Sequence, residues 1–104
     1  MSDFVKNSEN QILRGYVLYL CNLTGGASYQ LLRASLKKVG IDATEKQIEA
    51  ASNYLQGKNL VTIRSAGNKL AGITRSIVYI TPEGVDVLEG TREEDGIELM
   101  DSDG

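Results

Sequence analysis

The chain has 104 residues, 41% of them hydrophobic, and a formal charge of −3. That is enough apolar material for one compact core without metal or disulfide support, and no apolar run approaches the ~20 residues needed to span a bilayer. Cys21 is the sole cysteine and there is no histidine, so an internal disulfide is excluded and the commonest general base and zinc ligand are both missing.

The N-terminal MSDFVKNSEN lacks a basic-then-apolar secretory pattern, so a soluble, cytoplasmic protein is expected. No serine or threonine has an evident base and orienting partner. The closing Asp101-Ser102-Asp103-Gly104 begins like a calcium loop but stops before the remaining ligands. A non-enzymatic protein without cofactor or metal is the expectation.

Charge is unevenly placed. Residues 1–91 hold 10 Lys/Arg against 8 Asp/Glu, whereas residues 92–104 hold one Arg against six acids. A mildly basic body therefore precedes an acidic end, and the body is the part to judge for nucleic-acid contact.

Residues 1–7 are expected to be a flexible N-terminus. Ser8, Glu9, Asn10 and Gln11 form a capping-box pattern, which predicts a first helix over about 9–23. Ile12, Leu13, Tyr16, Val17, Leu20 and Cys21 then recur at helical spacing as its core stripe, Leu23 flanks Cys21 on the same side, and Thr24-Gly25-Gly26 ends the helix. Within this stripe Cys21 reads as a buried, inert thiol.

Ser28 is a plausible N-cap for a second helix through Val39, with Leu31, Leu32, Leu36 and Val39 as its apolar face. Lys37 and Lys38 suit the negative end of its dipole, and Gly40 suits a left-handed C-terminal position. Thr44, Glu45, Lys46 and Gln47 make a second capping box, with Ala43 and Ile48 at the positions of a hydrophobic staple. A third helix is predicted to about Gln56, its inward set being Ile48, Ala51 and Leu55. The second and third helices, joined by a tight glycine-containing turn, form a helix-turn-helix candidate.

After Gly57-Lys58-Asn59 the pattern changes to strand. Leu60–Arg64 and Ile73–Ile80 are rich in β-branched residues, and Ser65–Gly72 between them reads as a long loop, which predicts a β-hairpin. Thr81-Pro82-Glu83 then opens a short last helix, closed by Gly90, with Val85 and Leu88 facing the core. The remaining acidic residues 92–104 are expected to be disordered, with Ile97, Leu99 and Met100 available for docking on a partner.

Two stretches carry a family resemblance. "EAASNYLQGKNLVTI", residues 49–63, resembles the way winged-helix proteins end their third helix in a Tyr-Leu pair before the first wing strand. "VYITPEGVDVLEGT", residues 78–91, is similar to the family's passage from the second wing strand through a Thr-Pro cap into the final helix. The resemblance covers about residues 8–91, and the ending "DVLEGT" with its acidic end looks most like small winged-helix proteins of Mu-like prophages. It implies an α+β, mainly α, winged helix-turn-helix: three helices, a two-stranded wing and a short C-terminal helix.

The resemblance also implies double-stranded DNA binding by a small transcriptional regulator, with the third helix in the major groove and the wing on the backbone. On that helix the outward positions suited to contact are Lys46, Gln47, Ala50 and Asn53. Gln47 and Asn53 suit adenine edges and Lys46 guanine or phosphate, although the capping box competes for Gln47. On the wing they are Arg64, Asn68, Lys69 and Arg75. Arg14, Arg33, Lys37 and Lys38 are further candidates for phosphate contact.

Other readings stay open. The third-helix residues also suit an ordinary solvated face, and the wing cations also protect an edge hairpin from aggregation. Glu45 and Glu49 depart from a basic recognition helix, and they fit a non-catalytic protein-interaction module as well. So weakly charged a body would profit from homodimerisation, for which the first helix, last helix and tail are the surfaces to consider. Five scattered tyrosines read as core and rim rather than as a base-stacking platform.

Overall fold

The computed structural model describes residues 2–68 and 72–99, and the side chains of 9–67, 72 and 74–99. Four helices, α1 (Ser2–Thr24), α2 (Tyr29–Lys38), α3 (Glu45–Gly57) and α4 (Pro82–Glu89), frame one antiparallel sheet. Its strands are β1 (Ala27–Ser28), β2 (Val61–Asn68) and β3 (Ile73–Ile80), in the order β1-β3-β2. Helix, helix, turn, helix, hairpin and helix give a winged helix-turn-helix, α+β and mainly α.

The caps behave as their chemistry predicts. Ser28 accepts from the Leu31 amide at the start of α2, and Thr81 accepts from the Gly84 amide at the start of α4, where Pro82 needs no partner. Gly40, at φ 86, reverses the chain after α2, and the Ile41 amide returns to the Leu36 carbonyl at 2.9 Å.

The core gathers one face from each element. Val17, Leu18 and Cys21 of α1, Leu32 and Leu36 of α2, and Ile48 and Leu55 of α3 are fully buried with Leu60 and Val78. Burial pushes the Cys21 thiol from 9.0 up to about 12. Leu23, Leu31 and Val39, assigned to apolar faces from their spacing, are 66%, 44% and 53% exposed. Each lies at the margin of its helical stripe, where none of the described elements covers it.

Four boundaries differ from the sequence expectation. First, α1 begins at Ser2 and runs through the capping-box pattern at Ser8, because no glycine or proline in residues 2–10 breaks it. Second, β1 adds a short third strand to the two of the wing, pairing Ala27 with Val78 and Ser28 with Ile77. Two residues are too few to show alternation in a sequence.

Third, β2 continues to Asn68, which pairs with Ile73, so Ser65, Ala66 and Gly67 are strand rather than loop. Their own propensity is weak, and the ladder to the β-branched β3 overrides it. Fourth, residues 92–99 lie on the body instead of forming a disordered tail. The Arg14 guanidinium donates to the Gly96 carbonyl at 3.1 Å, the Glu98 amide donates to the Gln11 carbonyl at 3.0 Å, and Ile97 is only 9% exposed.

Two glycines allow that approach. A Cβ on Gly15 would strike the Glu98 carbonyl, and one on Gly96 would strike the Tyr54 hydroxyl. Composition marked this segment as too polar to order itself, but Ile97 needs only one apolar seat. The docking expectation for Met100 lies outside the described residues, as do Lys69 and the rest of the C-terminus.

Candidate nucleic-acid interface

The third helix is fixed at its start by a complete capping box. Thr44 Oγ1 accepts from the Gln47 amide at 3.1 Å, and Gln47 Oε1 accepts from the Thr44 amide at 2.8 Å. Ala43 and Ile48 are buried as the staple predicts. With Ile48, Ala51, Ser52 and Leu55 turned inward, Lys46, Ala50 and Asn53 come together on the exposed face at i, i+4 and i+7.

Gln47 is exposed as expected, yet its carbonyl oxygen is engaged by the cap. Bidentate reading of adenine needs both ends of a side-chain amide, so the cap leaves Gln47 its NH₂ group as the free end. Asn53 is exposed near the other end of the same face.

The exit from α3 sets the wing. The Leu60 amide donates to the Leu55 carbonyl at 2.9 Å, the Thr81 amide to the Leu60 carbonyl at 3.0 Å, and the Thr81 hydroxyl to the Asn59 carbonyl at 2.7 Å. Asn59, at φ 64, makes the sharp turn between them. The end of α3, the root of the wing and the cap of α4 are thereby tied into one junction, which fixes where β2 departs from the helix.

Along β2, Val61 is buried and Ile63 packs on the core, so Thr62, Arg64 and Ala66 occupy the opposite face. Register places Arg64 across from Ile77 and Arg75 across from Ala66. Arg64 and Arg75, both exposed, therefore share the wing's outer face. The Arg64 guanidinium lies 5.9 Å from the Tyr79 ring centroid, near the outer limit of a cation–π contact. The backbone of Asn68 closes the described ladder; its side chain and the whole of Lys69 lie outside the described residues.

The remaining cations divide. Arg33, Lys37 and Lys38 are exposed on α2. Arg14 is not available for phosphate: its guanidinium sits 3.7 Å from the Tyr54 ring centroid and bonds to Gly96, bracing α1 against α3 and the C-terminal segment. Lys58, missed in the sequence because its tripeptide read only as a turn, is exposed at the C-cap of α3 with its Nζ 5.8 Å from the same ring. A lysine at the negative end of a helix was the available signal.

Glu45 and Glu49 are also exposed on α3. Tyr29, at the start of α2, shows where Glu49 lies. Its phenol pKa is raised by burial first and then by the Glu49 carboxylate, opposed by a hydrogen bond with the Ser76 side chain. The Glu49 charge is therefore felt at the Tyr29 phenol. Among the described residues, no helix is long and apolar enough to cross a membrane.

No protein-family model matches the chain, and no curated protein matches it. Solved structures do. A PadR-like transcription factor from Bacteroides fragilis superposes with a TM-score of 0.75 at 15% identity, covering 86% of this chain and 84% of the other. A PadR family transcription regulator from Clostridium difficile R20291 gives 0.67 at 16% identity, covering 76% and 81%. Bacillus subtilis PadR, solved in complex with operator DNA, gives 0.66 at 18% identity over 86% of this chain and 52% of that one. At such identities the likeness establishes a shared fold, and the fold of this chain is that of the PadR transcription regulators.

Proposed function

We propose that this protein is a non-catalytic, cytoplasmic transcription regulator that binds double-stranded DNA, with α3 in the major groove and the wing on the phosphate backbone. The carrying observation is the capped third helix, which presents Lys46, Ala50 and Asn53 on one free face, next to a wing bearing Arg64 and Arg75 together. The solved operator complex of a structural neighbour supports the same use of the fold. Gln47 contributes its NH₂ group alone, as a donor, and Asn68 and Lys69 extend the wing contact. The prophage resemblance of "DVLEGT" bears on the genetic setting, and none of the neighbours described above is such a protein.

Few phosphates are neutralised by so small a set of cations, and affinity at physiological salt scales with their number. Homodimerisation therefore belongs to this reading. A groove of about 510 Å³ between α1, α4 and the C-terminal segment, lined by Tyr16, Tyr19, Val85, Leu88 and Leu99, supports that surface for it. Sedimentation equilibrium at micromolar concentration tests it: a purely monomeric protein, with and without duplex, removes the dimer from the reading.

The test of DNA binding is an NMR titration of labelled protein with a generic duplex at low and at raised salt. Shifts concentrated in residues 44–57 and 64–75 and weakened by salt support the assignment. If neither segment moves at low salt, the DNA reading is abandoned. The second reading, a protein-interaction module, is favoured by the exposure of Glu45 and Glu49 on the face of α3. Charge reversal at Arg64, Lys69 and Arg75 separates the two, since it abolishes DNA binding and leaves binding to a protein partner largely intact.

A further inference from the structure

The acidic C-terminal segment does not trail from the body. It is seated by its backbone: the Gly96 carbonyl on Arg14, the Glu98 amide on Gln11, and Ile97 buried. This seating leaves Glu93, Asp95 and Glu98 exposed, while Glu94 pairs with Arg92 at 2.7 Å. Three carboxylates are thus held at a fixed place on the surface rather than diluted over a moving tail.

That place adjoins α3. Gly96 lies against the Tyr54 hydroxyl so closely that a Cβ would have to displace it, and Arg14 and Lys58 flank the ring of the same tyrosine. Tyr54 follows Asn53 directly and stands one turn beyond Ala50, two positions of the proposed DNA face. Asp95 is bonded to Gly96, so of the three carboxylates it is the one the chain ties next to the Tyr54 side chain of α3, and charges at a surface act over about 8 Å at physiological salt. The same contact holds the Arg14 guanidinium against a carbonyl and a ring.

We propose that residues 92–99 form an electrostatic strap that attenuates DNA binding: docked on α1 and Tyr54, it holds three carboxylates at a fixed place, Asp95 nearest the Tyr54 side of the third helix, and keeps Arg14 from the phosphates. The inference rests on the DNA reading above. Undocking the strap, by a partner that takes Ile97 or by a substitution, removes the repulsion and frees a cation together. The strap is a device for setting affinity, separate from the residues that read the duplex.

Three full-length variants test it beside the wild type, in anisotropy titrations of a labelled generic duplex at two salt concentrations. The first removes the docked charges, with Glu93→Gln, Asp95→Asn and Glu98→Gln. The second, Gly15→Ala, sets a Cβ against the Glu98 backbone carbonyl and so forces the segment off α1, and accelerated hydrogen exchange at the Glu98 amide reports the release. The third, Asp101→Asn with Asp103→Asn, removes two carboxylates beyond the docked segment.

The expected result is tightening on the order of fivefold at low salt for the first two variants, shrinking as salt rises, and less per charge for the third. Equal tightening per charge in the first and third variants overturns the strap, because net charge alone then explains the effect. Released exchange in Gly15→Ala without tighter binding overturns it as well. If no chain binds, the wild type included, the DNA reading itself fails and the strap with it; if the wild type binds and the variants merely match it, only the strap fails.

Discussion

Removing the two wing arginines tests the electrostatic half of the proposed interface with a number that the register supplies. Arg75 lies directly across from Ala66, and Arg64 is two residues along the same face. Same-face neighbours on a strand are about 6.8 Å apart and strands about 5 Å apart, so the two arginine backbones stand about 8 Å apart. A DNA strand carries a charge every ~3.4 Å of helix axis, so two guanidiniums at that separation meet different phosphates. Each phosphate neutralised contributes about 0.9 to the slope of log K against log salt, and Arg64→Ala with Arg75→Ala therefore flattens the slope by about 1.8. Between 50 and 200 mM salt the wild type then loses about twelvefold more affinity than the variant. Anisotropy titrations at four salt concentrations measure this directly. Both side chains are exposed, and the long Arg64–Tyr79 contact contributes at most about 0.5 kcal/mol, so the melting temperature serves as a control and stays near the wild-type value. A slope unchanged in the folded double variant refutes phosphate contact by this face of the wing.

Three further predictions concern the frame that holds the interface. Gly84→Ala sets a Cβ against the Leu60 carbonyl and within 2.7 Å of Ile80 Cγ1, and it should cost about 1–3 kcal/mol in urea unfolding, since a backbone oxygen cannot step aside. Ser52 Oγ is fully buried with no hydrogen-bond partner among the described residues, so Ser52→Ala should keep or raise stability, by up to about 1 kcal/mol, and a clear loss would show that the hydroxyl has a use. The Cys21 thiol, held protonated up to about 12 in the fold, ionises near 9.0 when unfolded. Above about pH 9 the unfolded chain releases a proton that the fold retains, so this contribution to stability is whole below pH 9 and declines as pH rises toward 12. Urea midpoints of wild type and Cys21→Ala measured from pH 8 to 10.5 should converge as pH rises.

What the residues disclosed in advance was mostly local chemistry. Thr44 with Gln47, Thr81 with Pro82, and Gly40 each name a helix end because the hydrogen bonds they make are confined to a few neighbouring residues. The outward triad Lys46, Ala50 and Asn53 followed from counting away from Ile48. Contacts between distant parts were not legible. Leu18 is fully buried because α4 and the sheet close over a second side of α1, which a single amphipathic stripe did not include. Arg14 looked like a free cation because its partners, Tyr54 and Gly96, are 40 and 82 positions away. The same distance hid the seating of Ile97, and the weak strand propensity of Ser65, Ala66 and Gly67 hid the true length of the wing.

The distribution of charge then assigns different tasks to the two halves of the interface. Along α3 the one cation of the outer face, Lys46, is accompanied by Glu45 and Glu49, so that helix gains little from counterion release. Ala50, at the middle of the face, offers no charge at all but permits close approach and apolar contact with a thymine methyl, and Asn53 adds a paired donor and acceptor. The other exposed cations lie off this helix face, on α2 at Arg33, Lys37 and Lys38, at the C-cap of α3 at Lys58, and on the wing at Arg64 and Arg75. Under the DNA reading, affinity comes from the periphery and selectivity from the helix. Substitutions at Ala50 and Asn53 should then change which duplex is preferred while leaving the salt slope alone, the reverse of what the wing arginines do.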